Sequence, residues 1–321
     1  EAMRLLLKQG RLVAFAHSFR ALAKHAAVVT HPFRAPIAAR AMVAFEEAPF
    51  LERLALVLLR GPQASHEAAQ SVLVTTGVSG ANALCKVRLQ LGDDLDLGGR
   101  KRFAATLRLA GRSALPAISR ALQQADLASD GPTHAIEDLL RGLPEGGSAD
   151  IGATALRLSA HPAPQVRRAA LGALVATDGL GARTTLASAL ADKDEGVQLS
   201  ALIGLQRVAG LESASVARIE ELLSGGSEEI RIAAAEAMLG AGASARADAA
   251  AALTRFLAGK AMARVFRLGS DASESTPVVE AAARSLLKIG GKEGRRAVEQ
   301  RLERASGELK RRLFVLLNGA P

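Results

Sequence analysis

The chain has 321 residues with a formal net charge of +9, is 49% hydrophobic and 23% charged, and contains one cysteine, no tryptophan and no tyrosine. That balance excludes a chain that is disordered as a whole, and the single Cys85 excludes a disulfide scaffold. The longest apolar run, residues 54–59, is far short of the ~20 residues a membrane-crossing helix needs.

The charge is uneven. Residues 1–50 carry 7 basic and 3 acidic groups, residues 51–250 carry 20 and 22, and residues 251–321 carry 14 and 7. The first residue is Glu1, and the chain is expected to be a segment of a longer protein. No signal-peptide pattern opens it, and with one cysteine the expected location is cytoplasmic.

In chain order, residues 3–29 read as helical through Leu5, Leu6, Val13, Phe15, Phe19 and Leu22. Then a pattern repeats. Small residues stand three and four positions after an anchor, and a larger apolar residue stands eight after it. The copies are Ala35 (Ala38, Ala39, Val43), Ser65 (Ala68, Ala69, Leu73), Lys101 (Ala104, Ala105, Leu109) and Pro132 (Ala135, Ile136, Leu140). Further on come Val166 (Ala169, Ala170, Leu174), Val197 (Ser200, Ala201, Leu205), Ile230 (Ala233, Ala234, Met238) and Val279 (Ala282, Ala283, Leu287). A degenerate copy at Leu309 (Arg312, Leu313, Leu317) closes the series. Seven of the eight spacings are 30–36 residues and the eighth is 49. Positions 0, 4 and 8 share a helix face, and the paired small residues let a neighbouring helix approach closely.

A second helical stretch precedes each later copy, at 115–122, 183–191, 215–223, 247–257 and 295–302, and glycines such as Gly77, Gly111 and Gly210 punctuate the turns. The expected fold is therefore all-α: a right-handed α-solenoid of about nine antiparallel helix pairs. Residues 1–60 form an N-terminal cap or atypical repeats. Residues 61–321 form one continuous array with an insertion at 260–276 and a C-terminal capping repeat.

Two helices per 30–35 residues, the second opening on Val-Arg-x-Ala-Ala, resembles the short HEAT-like repeats of bacterial proteins related to the phycobilin lyases. Residues 164–174, 192–205 and 228–238 carry the resemblance. It implies a protein-binding scaffold. Arg167 and Arg231 match the family's arginine after the anchor, whereas Gln198 and Glu280 depart from it.

Catalytic patterns are sparse. The six histidines form no His-Glu-x-x-His, no Cys-x-x-Cys exists, and neither a phosphate loop nor a nucleophile elbow occurs. HEAT-like deoxyhypusine hydroxylases hold iron with repeated His-Glu pairs, of which only His66-Glu67 occurs here. The expectation is no enzyme, no cofactor and no metal. Cys85 sits in an apolar helix and reads as a buried thiol.

The sequence points to a protein partner, possibly acidic, met on a concave face by Arg167, Arg168 and Arg231 or by Met262, Val265 and Phe266 of the insertion. A basic patch gathers Arg284, Lys288, Lys292, Arg295, Arg296, Lys310 and Arg311. It supports the alternative of a nucleic-acid-binding module, although the missing tryptophan and tyrosine remove the best base-stacking platforms. A lyase-like HEAT enzyme is the second alternative, resting on acids in the middle of the chain. No membrane contact is expected.

Overall fold

The computed structural model describes residues 2–27, 34–43, 45–126, 132–177, 181–208, 210–259 and 275–319. The chain forms two compact units, unit 1 from Glu1 to Asp178 and unit 2 from Gly179 to Pro321. Among the described residues every regular element is a helix, and none is long and apolar enough to cross a membrane.

In unit 1, α1 (Ala2–Lys8), α2 (Leu12–Ala27) and α3 (Arg34–Val43) precede four helix pairs. The pairs are α4 (Ala48–Arg60) with α5 (His66–Thr75), α6 (Val78–Gln90) with α7 (Leu97–Ala110), α8 (Leu115–Asp126) with α9 (Thr133–Arg141), and α10 (Ala149–Leu158) with α11 (Pro164–Thr177). First helices pack on first helices (α4, α6, α8, α10) and second helices on second helices (α5, α7, α9, α11), which makes two layers around one core. Phe15, Phe19, Phe45 and Phe50 close the N-terminal end with ring centroids 5.3–6.2 Å apart.

Unit 2 repeats the scheme. Its pairs are α12 (Ala182–Ala189) with α13 (Glu195–Arg207), α14 (Ser213–Gly225) with α15 (Glu228–Ala237), α16 (Arg246–Ala258) with α17 (Thr276–Ile289), and α18 (Gly291–Arg304) with α19 (Gly307–Gly319). The α13, α15, α17, α19 series packs side by side. One non-helical clip joins two turns here: Gly210 and Leu211 both donate to the Gly240 carbonyl, and Gly242 donates back to Leu211. Gly210 has φ +96°, a conformation that excludes most side chains.

The repeat grammar explains the core. Val166, Ala170 and Leu174 are buried, as are Val197, Ala201 and Leu205, and Ile230, Ala234 and Met238. The small residues serve close approach. A Cβ on Gly80 at the start of α6 would fall 2.1 Å from the Leu73 carbonyl oxygen of α5.

Three copies depart from the expected register. In α7 the buried series is Gly99, Phe103 and Leu107, two residues earlier than Lys101, and Leu109 is exposed. In α17 Leu286 is fully buried and Leu287 only half-buried, so the anchor is Val278. The Ala35 copy fails: Val43 is exposed, and α2, not α3, packs on α5. In α7 and α17 the larger buried residue fixed the helix rotation, because burying Phe103 or Leu286 gains more than burying alanine.

Polar ties recur at one-repeat spacing. Between first helices they are Lys86 to Glu52 (2.7 Å), Arg120 to Asn82 (3.1 Å) and Arg255 to Glu220, a two-pronged contact at 2.8 and 2.7 Å. The hydrogen bonds from Arg255 hold the Glu220 carboxyl below its usual pKa. Between second helices they are Gln70 to Thr106 (2.9 Å) and Arg312 to Glu280 (2.7 Å).

Candidate interaction surface

The residue after the anchor faces inward. Arg167 is buried and its Nη1 donates to the carbonyls of His161 and Pro162 at 2.9 and 2.8 Å. Arg231 Nε donates to Leu223 O at 2.8 Å, and its guanidinium lies 5.6 Å from the centre of the Phe256 ring. Gln198 Nε2 donates to Asp192 O at 2.6 Å, and His66 Nε2 lies 2.8 Å from Gly61 O. All four side chains clamp the turn that enters their own helix, using carbonyls a helix end leaves unsatisfied. Arg167 and Arg231 are therefore turn clamps, not the rim residues the sequence suggested, and Gln198 does the same work without a charge. Met262, Val265 and Phe266, with most of the 260–276 insertion, lie outside the described residues.

Arg168 behaves differently. It is half-buried, and its Nε meets no hydrogen-bond partner among the described residues. It lies on the outward face of the second-helix layer of unit 1. On α7 Lys101 and Arg108 are exposed, on α9 Arg141, and on α11 Gly172, whereas Asp138 of α9 is buried. Lys101 and Arg108 are exposed and form no ion pair among the described residues.

Beneath this face is an ionic cluster that the sequence reading missed. Arg88, fully buried, donates through Nε to Asp138 at 2.8 Å, and its Nη2 lies 2.7 Å from the same carboxylate. Its Nη1 caps the Gly92 carbonyl. Arg100 reaches Asp138 at 2.9 Å and Glu137 at 2.5 Å, and Arg141 reaches Glu137 at 2.8 Å. Burial opposes the Arg100 charge, but the hydrogen bonds to Asp138 and Glu137 outweigh it, and its pKa is raised. Three guanidiniums face two carboxylates, so the cluster retains a positive charge. The available signal was Glu137-Asp138 inside an otherwise apolar helix.

In unit 2 the expected basic patch is divided. Arg284 pairs with Glu280 at 2.6 Å, and Arg312 with Glu280 and Glu308. Arg295 pairs with Glu299 at 3.2 Å and donates to Leu317 O. Lys288, Lys292, Arg296, Lys310 and Arg311 are exposed with no ion pair among the described residues. The first three gather at the α17–α18 turn. Lys310 and Arg311 lie on α19, one turn before Phe314 and Val315, which are 59% and 66% exposed. Two large apolar side chains therefore stand exposed beside this basic pair.

No group of three or more histidine, cysteine or acidic residues is placed to hold a metal among the described residues. Cys85 is buried, and burial pushes its thiol up to about 12.

No protein-family model and no curated protein matches the chain. Among solved structures it is similar to YibA of E. coli, 16% identical over 85% of this chain and 96% of that one, with a TM-score of 0.50. It is also similar to Kap121p bound to Pho4p, 14% identical over 99% of this chain and 35% of that one, with a TM-score of 0.59. These likenesses identify the fold as a HEAT/armadillo-like helical-repeat solenoid.

Proposed function

We propose that this chain is a non-enzymatic protein-interaction scaffold that holds an acidic partner on the outer surface of α18 and α19. The observation that carries this reading is the pairing on α19 of two cations, Lys310 and Arg311, that form no ion pair among the described residues, with two exposed apolar side chains, Phe314 and Val315. An interface core of aromatic and aliphatic residues beside basic groups suits an acidic amphipathic surface. The likeness to Kap121p, which was solved holding Pho4p, supports a protein as the partner. Met262, Val265 and Phe266 remain a further expected contact.

The test is affinity capture from native lysate, with and without nuclease, using the wild-type chain and the pair Lys310→Glu with Arg311→Glu. A discrete acidic protein retained after nuclease and lost in the variant is the expected result. Nucleic acid is the second reading, favoured by Lys288, Lys292 and Arg296, which form no ion pair among the described residues. Recovery that vanishes on nuclease treatment or modest salt would establish it, since phosphate contacts weaken steeply with ionic strength.

A further inference from the structure

We propose that α1, α2 and α3 form a peripheral docking face for an anionic lipid bilayer. The site is separate from the α19 surface and does not rest on it. It reverses the expectation of no membrane contact. That expectation came from the lack of a spanning segment, and a surface contact needs none.

Charge is the first argument. Residues 2–45 contain no aspartate or glutamate, although the chain holds 32 acidic residues, and they include seven lysines and arginines. The next acids are Glu46 and Glu47, just before α4. Arg11, Arg20, Lys24 and Arg40 are exposed and form no ion pair among the described residues. Lys86 on α6, by contrast, is matched by Glu52. A surface that carries cations and no acids attracts an anionic one over several ångströms.

Placement is the second. Four large aliphatic side chains are each more than half exposed: Leu5 on α1, Val13 on α2, and Ile37 and Val43 on α3. On α2, Phe15, Ala16 and Phe19 are buried, while Val13, His17, Arg20 and Lys24 follow at helical spacing along a separate, exposed face. On α3 Ala38 alone is buried, and Ile37, Arg40 and Val43 share the exposed side. Because α2 and α3 pack together, cations and exposed aliphatic side chains are interspersed over one helix pair.

This mixture selects the ligand. A lipid surface takes scattered aliphatic side chains into its headgroup–acyl boundary and meets cations with phosphates, without shape complementarity. A protein interface is built around a contiguous core rich in aromatic residues. Here Phe15, Phe19 and Phe45 are all turned inward. A second copy of the face would bring like charges together. Nucleic acid would leave the aliphatic side chains unused and find no exposed aromatic residue on α2 or α3 to stack upon.

The experiment is flotation of the full chain with vesicles of phosphatidylcholine, and with vesicles of equal parts phosphatidylcholine and phosphatidylglycerol. The chain should float with the anionic vesicles, stay below with the neutral ones, and be released by salt. Arg20→Glu with Lys24→Glu should weaken the apparent affinity by roughly tenfold or more. Ile37→Ser with Val43→Ser should weaken it as well. All four positions are exposed, and circular dichroism should show helicity retained. Ile37→Cys carrying an NBD fluorophore should brighten and shift to the blue on anionic vesicles, with buried Cys85 left unlabelled. The same label on Gln123→Cys of α8 should not respond, and Lys310→Glu with Arg311→Glu should float as the wild type does. The inference is overturned if the chain does not float with anionic vesicles, or if the α3 variant floats unchanged. Failure to float, together with octathymidylate binding that is lost in the α2 variant, overturns it in favour of nucleic acid. Flotation lost only in the α19 variant also overturns it.

Discussion

Arg88 and Asp138, fifty residues apart in sequence, meet at 2.8 Å where each is almost completely buried. The pair links α6 to α9. A buried ion pair does not by itself raise stability much, because both charges lose their hydration. Removing one partner, however, strands the other charge in a low-dielectric interior.

Asp138→Leu alone should therefore destabilise unit 1 by about 3–5 kcal/mol, because Arg88 keeps its charge without a carboxylate. Replacing both, Arg88→Met with Asp138→Leu, should recover much of that loss. Urea titrations of the two variants decide it. A double variant no better than the single one would mean that Arg100 and Glu137, not this pair, carry the cluster.

The turn clamps give a second prediction. Arg167→Ala leaves the carbonyls of His161 and Pro162 without their donor and should lower stability by about 1–3 kcal/mol. Arg231→Ala should act similarly and also lose its contact with Phe256. Neither should change capture of the partner from lysate. A clear loss of affinity with unchanged melting would return these arginines to the surface role suggested by sequence.

Cys85 sets a pH dependence. Its thiol ordinarily ionises near 9.0 and is raised by burial to about 12 in the folded chain. Below pH 9 both states hold the proton and nothing changes. Between about 9 and 12 the unfolded state releases it and the folded state does not. Stability should then fall with rising pH, by about 1.4 kcal/mol per unit from this group alone. With no tyrosine in the chain, only lysines titrate alongside it. Cys85→Ala should flatten the alkaline limb of a stability-versus-pH curve, and native Cys85 should resist iodoacetamide at pH 8.

Close helix approach is tested at two positions. Ala201 is fully buried in α13, and Ala201→Leu should overpack the contact at a cost of about 1–3 kcal/mol. Gly80→Ala must displace the Leu73 carbonyl or its own helix, since the space is 2.1 Å. Both should lower the melting temperature without changing helix content.

The fold was legible because alanine pairs and larger residues recur at helical spacing, and Val166, Val197 and Ile230 lie where that pattern puts them. The register slipped at Lys101 because Phe103 and Leu107 outweigh Ala104 and Ala105 in burial, which a pattern of small residues does not register. The surface was less readable. A sequence does not separate an arginine that clamps a turn, such as Arg167, from its neighbour Arg168 on the outer face, because one residue is a rotation of about 100° on a helix. The Arg88–Asp138 pair was hidden for another reason: its partners belong to repeats that only packing brings together.

That pair has a bearing on how the chain opens. Most polar ties join one helix to its successor in the same layer, so a repeat can detach after breaking only its nearest contacts. The cluster of Arg88, Arg100, Glu137, Asp138 and Arg141 instead fastens α6, α7 and α9 at a common point. Amide hydrogens in these three helices should exchange together, as one cooperative block inside an otherwise stepwise array.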